Sequence, residues 1–158
     1  MRGKVKSEGI DASFRTAVKL FKNYGAGFGF DYNYGTALKK SKDTPDDESY
    51  NKQLLYLPQE YAKSTFNLSY EPGGGFVKLI SVNVFYTFTG KRYIDAENTR
   101  FIPYYELLDG NINLTFNLFK TETSVKFAVN NLGNEDYQVM YGYPMALRNF
   151  KLQIGIKY

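Results

Sequence analysis

The sequence predicts an all-β protein, an antiparallel sheet of seven strands with one apolar and one polar face. Three observations carry this. Apolar residues recur at every second position in seven separate runs, while the helical period is nearly missing. The connections between runs alternate between short turns and long polar stretches. No apolar run reaches the roughly 18 residues that a transmembrane helix needs.

The first run is the weakest, with Ile10, Ala12, Phe14 and Val18 opposite Asp11, Ser13 and Arg15. A short link from Lys19 to Tyr24 leads to the second run, where Ala26, Phe28, Phe30, Tyr32 and Tyr34 alternate with Gly27, Gly29, Asp31 and Asn33. Gly35 to Gln59 reads as a long loop. The third run sets Phe66, Leu68 and Tyr70 against Thr65, Asn67 and Ser69, and ends in the tight turn Glu71-Pro72-Gly73-Gly74-Gly75. In the fourth, Ile80, Val82, Val84, Tyr86 and Phe88 oppose Ser81, Asn83 and Thr87, with Phe85 the exception. A long segment, Gly90 to Tyr105, precedes the fifth run, in which Leu108, Ile112, Leu114 and Phe116 face away from Asp109, Asn111, Asn113 and Thr115. After a short link at Asn117 to Glu122, Val125, Phe127 and Val129 oppose Lys126, Ala128 and Asn130. Asn131 to Leu147 is the third long loop. The last run is the cleanest: Phe150, Leu152, Ile154, Ile156 and Tyr158 alternate with Lys151, Gln153, Gly155 and Lys157. Most runs span about nine to eleven residues, the length with which a tilted strand crosses a bilayer.

Alternation does not say whether the apolar face meets a protein core or lipid. Composition narrows the choice. The chain has 15 Tyr and 13 Phe among 158 residues, and no Trp, Cys or His. Disulfides, Cys-based zinc sites, thiol nucleophiles and Ser-His-Asp triads are therefore excluded. The net charge of +4 is mild and suits an anionic membrane surface as well as nucleic acid. Met1 to Phe21 carries charges every few positions and has no apolar signal-peptide core. Sorting by height is more telling. With the short turns at one end, Tyr32, Tyr34, Tyr86 and Phe88 gather toward the long-loop rim, and Tyr70, Phe76, Phe116 and Tyr158 toward the other. Aliphatic residues lie between. A lipid-facing barrel wall has aromatic girdles at both headgroup levels, whereas a soluble core has no reason to sort side chains by height. The expected apolar face therefore meets lipid, and the polar face lines a wet lumen.

The segment Asn130-Asn131-Leu132-Gly133-Asn134-Glu135-Asp136-Tyr137, with Gly142-Tyr143-Pro144 and Arg148-Asn149-Phe150, resembles the end of a TonB-dependent outer-membrane receptor. Weaker echoes are Gly90-Lys91-Arg92-Tyr93 with Asn98-Thr99, and Gly3-Lys4-Val5 with Ser7-Glu8-Gly9-Ile10. Leu147 departs from the pattern, standing where the family often has Gly. The resemblance implies that residues 1–158 are the C-terminal part of a barrel of about 22 strands, with the plug domain and the N-terminal strands outside this chain. It implies a bacterial outer-membrane location and energy-coupled uptake of a scarce nutrient such as a siderophore–iron complex or cobalamin. Expected partners are outer-membrane lipid and lipopolysaccharide, the barrel-assembly machinery and, only through the missing N-terminal part, the TonB-type energy-coupling complex. No nucleic acid, cofactor, metal or catalytic residue is expected.

Within this frame, Phe150, Leu152, Ile154, Ile156 and Tyr158 resemble the C-terminal signal read by the assembly machinery through strand-edge pairing. Tyr93, Tyr137, Tyr141 and Tyr143 are candidates for a substrate vestibule, against the plainer reading of loop packing. The acidic stretch Asp43-Thr44-Pro45-Asp46-Asp47-Glu48 lacks EF-hand spacing and reads as a solvated loop. Gly25-x-Gly27-x-Gly29 precedes no helix and is no dinucleotide fingerprint. Two rivals stand beside the receptor reading: a complete small outer-membrane barrel, and a soluble barrel holding a small apolar ligand.

Overall fold

The computed structural model describes residues 3–118 and 121–157, and these form strands and loops with no helix among them. The strands are β1 (Val5–Phe21), β2 (Tyr24–Lys39), β3 (Glu60–Tyr70), β4 (Val77–Thr89), β5 (Arg92–Tyr93), β6 (Phe101–Ile102), β7 (Tyr105–Leu118), β8 (Thr121–Asn130), β9 (Gln138–Met140), β10 (Tyr143–Pro144) and β11 (Asn149–Lys157). Seven of them build one antiparallel meander in the order β1-β2-β3-β4-β7-β8-β11. The ribbons β5–β6 and β9–β10 are small insertions in the second and third long loops. Among the described residues β1 and β11 are unpaired edges, so the sheet is open where both rival barrels need a closed one.

The register lines up the alternating runs. Phe28, Phe66 and Val84 are successive cross-strand partners. So are Leu68, Val82, Ile112, Phe127 and Leu152 on one row, and Tyr70, Ile80, Leu114, Val125 and Ile154 on the next. Because side chains alternate across a strand, all of these share one face. That face is uncovered: Phe28, Phe66, Leu68, Ile112, Phe127 and Ile154 are all exposed. The buried apolar residues among those described are Ala37 and Ile102, both at the long-loop end.

The opposite face is polar and internally bonded. Asn67 donates to Asn83 (2.8 Å), and Asn83 donates in turn to Asn111 (2.9 Å). Asn113 donates to both Asn111 (3.0 Å) and Ser81 (3.1 Å). These amides run across three adjacent strands at the same level. Toward the long-loop end, Arg15 grips both oxygens of Asp31 at 2.7 and 2.9 Å, and Asn33 donates to Asp11. Phe85, the break in the alternation, lies on this polar face between Thr65 and Asp109.

The strands run further than expected at both ends: β1, β2, β7 and β8 reach into the short links expected at Lys19–Tyr24 and Asn117–Glu122, and the larger difference is at the long-loop end. β1 and β2 run on through Val5–Gly9 and Gly35–Lys39, where the periodicity places a loop from Gly35. The reason is physical. Beyond Ile10 and Tyr34 the apolar face turns charged, with Lys6 and Glu8 paired at 2.5 Å on the side that Ile10 occupies lower down. The backbone ladder continues, but the apolar signal that reveals a strand has stopped. Gly9 opposes Gly35 there, and a Cβ on Gly9 would meet the Tyr34 carbonyl oxygen at 2.7 Å, so the close approach needs glycine.

Candidate functional site

The three long connections leave the same end of the meander, because each joins every second pair of neighbouring strands. They form one cluster. Asn98 clamps Gln53 as a surrogate backbone, accepting from its amide at 2.7 Å and donating to its carbonyl at 3.0 Å. The Gln53 side chain in turn accepts from the Ala37 amide at 2.9 Å, and the Tyr56 amide donates to the Tyr93 carbonyl. Asn98 takes φ 59°, a left-handed conformation that asparagine adopts more readily than most residues. Arg92 joins the second loop to the third: its guanidinium donates to the carbonyls of Gln138 (2.7 Å) and Val139 (3.1 Å).

Between the second and third loops lies a cleft of about 250 Å³, lined by Phe101, Ile102, Pro103, Tyr104, Tyr105, Asp136, Tyr137, Gln138 and Tyr141. Tyr105 and Tyr137 pack with ring centroids 4.6 Å apart, and Arg92 lies 5.0 Å from the Tyr105 centroid. Arg100 lies 5.3 Å from the Tyr141 ring. Burial, with Tyr105 and Asp109 nearby, pushes the Tyr137 hydroxyl pKa up, so it remains a hydrogen-bond donor. Of the four tyrosines expected in a vestibule, the structure brings Tyr137 and Tyr141 into this cleft. Tyr93 pairs with Phe101 on β5–β6 and Tyr143 projects from β10, both outside the lining.

The aromatic residues expected in girdles share the apolar face. Tyr32 and Phe88 both oppose Ala62, Tyr86 opposes Ser64 one level nearer the sheet centre, and Tyr34 opposes Glu60 one level beyond. At the short-turn end, Tyr70 stacks on Tyr24 (4.6 Å) and Phe76 packs against Phe116 (4.9 Å). At roughly 3.3 Å per residue Tyr24 and Tyr34 stand about 33 Å apart along β2. A strand tilt of about 40° brings this to about 25 Å in height, the thickness of an outer-membrane apolar band. Phe150, Leu152, Ile154 and Ile156 line the exposed edge strand β11 on that same face. Tyr158 lies outside the described residues.

The acidic stretch folds back on itself. Lys39 reaches Asp43 at 2.6 Å and Asp47 at 3.0 Å, and Asp47 also accepts from the Asp43 amide (2.8 Å) and the Ser49 hydroxyl. The Ser49 hydroxyl, the Asp43 amide and the Lys39 ammonium hold the Asp47 carboxyl well below the usual carboxylate range. A carboxylate depressed on folding stabilises fully above its unfolded pKa, and this is lost as pH falls through the folded value. The 43–49 turn should therefore stay closed at about pH 4 and open only in stronger acid. Pepsin cleavage beside Tyr50 tests this, and cleavage beginning above about pH 4 would contradict it.

Sequence reasoning missed Arg92, Gln53 and Asn98 as organising residues. Arg92 and Asn98 stand inside segments that carry the resemblance, yet a single Arg or Asn in a loop has no spacing that announces a backbone clamp.

An all-β chain with one uncovered apolar face, a bonded polar face and three clustered loops at one end has the makings of a membrane-barrel wall. The family model described as TonB dependent receptor-like, beta-barrel, matches residues 2–132, and the chain belongs to this family of outer-membrane receptor barrels. Among solved structures, it is similar to the ferric preacinetobactin receptor BauA from Acinetobacter baumannii, with a TM-score of 0.76 and 19% identity. That match covers 99% of this chain and 22% of the receptor, so the chain spans about a fifth of its length. No curated protein matches in sequence. The family match ends at Leu132, taking in Asn130-Asn131-Leu132 but not the rest of that segment or the last strand, whereas the structural match runs almost end to end.

Proposed function

We propose that the chain is the C-terminal wall of a TonB-dependent outer-membrane receptor that takes up a scarce nutrient, a siderophore–iron complex, cobalamin or a compound of similar kind. The observation that carries this reading is the uncovered apolar face, continuous over seven strands and flanked by aromatic residues at both ends. Monomeric soluble proteins do not leave so large an apolar surface bare. The plug and the remaining strands belong to the rest of the receptor. Energy coupling enters through that part, and this chain supplies wall, rim and a share of the outer mouth. Tyr32, Tyr34, Tyr86 and Phe88 form one headgroup girdle in this reading, with Tyr70 and Phe116 in the other. Phe150, Leu152, Ile154, Ile156 and Tyr158 serve as the edge offered to the assembly machinery, and the Tyr137–Tyr141 cleft belongs to the mouth.

Uptake tests the function. Deleting the gene for the receptor that carries this chain should abolish growth on one scarce nutrient as sole source, and deleting the TonB-type coupling protein should give the same loss. Growth unaffected on every such nutrient would overturn the transport reading. The orientation has its own test, in a receptor cleared of Trp outside this chain, which itself contributes none. A single Trp at Leu114 should be quenched by brominated lipids, and one at the neighbouring Thr115 should not. Equal behaviour at the two positions would contradict a lipid-facing apolar side.

A further inference from the structure

We propose that Arg92 is a positioning residue that sets the width of the cleft between the second and third loops, and that the three loops form one interlocked rim with a separate clamp at each junction. The inference concerns the rim itself and needs no ligand. Arg92 is only 3% exposed, although arginine is rarely so buried without a specific role. Its fork takes two adjacent carbonyls, Gln138 and Val139, on β9. It sits opposite Ile102 on the β5–β6 ribbon, itself 4% exposed and part of the cleft lining. Its guanidinium carbon lies over Tyr105, whose ring packs against Tyr137. One side chain thus holds both walls of the cleft: Tyr105 by a cation–π contact, and the 138–139 backbone by hydrogen bonds. Lysine has the same charge but no planar fork, so it cannot reproduce this geometry.

The second junction is independent. Asn98 and Gln53 join the first loop to the second through two side-chain-to-backbone bonds and share no partner with Arg92. Loops on a barrel rim otherwise move separately, being long and surface-exposed. Here each clamp is buried or half-buried and made of bonds that cost free energy when left unmatched.

The test uses the full-length receptor in detergent with paired spin labels on introduced cysteines, in a background from which any cysteine outside this chain, itself cysteine-free, has been removed. One pair, at Ala96 and Met140, spans the Arg92 junction; the other, at Glu48 and Ala96, spans the Asn98 junction. In the wild type both distance distributions should show a single narrow peak. Arg92→Lys should abolish the narrow peak for Ala96–Met140 and preserve it for Glu48–Ala96; Asn98→Ala should do the reverse. A broad distribution in the wild type, a narrow Ala96–Met140 peak in Arg92→Lys, or both pairs broadening together in either variant would overturn the proposal.

Discussion

Arginine in place of Val84 is expected to lower the folding stability of the receptor by ~2–4 kcal/mol. Val84 lies midway along β4, on the apolar face, between Phe66 and Gly110 on the neighbouring strands. If that face meets hydrocarbon, the guanidinium must sit where no water solvates it or snorkel at the expense of the surrounding lipid. The cost should fall with height. The same substitution at Tyr34, level with the proposed headgroups, should cost only ~0–1 kcal/mol, beyond what the lost ring contributes. On the polar face, Thr115→Arg should stay within about 0.5 kcal/mol, as surface substitutions do. Urea unfolding in lipid vesicles measures all three. A protein core would penalise buried positions according to packing, so equal losses at Val84 and Tyr34 would remove the depth gradient and the lipid with it.

The second large effect is expected at Asn131, which is 3% exposed and makes a closed ring with Glu135. Its side-chain amide donates to the Glu135 carbonyl and its side-chain oxygen accepts from the Glu135 amide, both at 2.8 Å. Its backbone amide donates to Asp109 at 2.7 Å, which ties the loop to β7. Its φ of 52° adds a conformation that alanine enters at a cost of about 1 kcal/mol. Asn131→Ala removes two part-buried hydrogen bonds to the exposed Glu135 backbone, at roughly 0.5–1.5 kcal/mol each. The local stability of the 131–148 loop should therefore drop by ~2–4 kcal/mol, read as faster amide exchange at residues 132–136. Asn131→Gly should recover only the backbone part. Exchange unchanged in Asn131→Ala would show that the ring contributes nothing.

These asparagines explain part of the motif on which the family resemblance rests. Asn131 closes the loop, Asn134 at φ 57° accepts from the Arg148 amide at 3.1 Å, and Asn130 donates to Asn149 across β8–β11. Nothing in the residue order says which of the three does what, because Asn134 and Asn130 act on partners more than ten positions away, and Asn131 depends on a left-handed backbone angle and on Asp109 as well as on Glu135. The strands were legible for the opposite reason. A period of two is a local property, and register pairs like with like: Phe28 with Phe66, Val82 with Ile112, Ile154 with Val125. Where the apolar period stops, at Lys6 and Glu8, the strand became invisible although its ladder continues to Val5.

Alternation and the rhythm of short and long connections determined, from the sequence alone, that this chain is a seven-stranded meander with one apolar and one polar face, and the terminal motif pointed to its family. Those features follow from chemistry between near neighbours along the chain. Tertiary structure alone decided which loops touch. It selected Tyr137 and Tyr141 for the cleft, left Tyr93 and Tyr143 outside it, and placed Arg92 and Asn98 at the junctions. The physical reason is that hydrophobic periodicity acts on every strand at once, whereas a clamp is one side chain meeting two backbone carbonyls or one distant residue, a coincidence in space that only the folded chain creates.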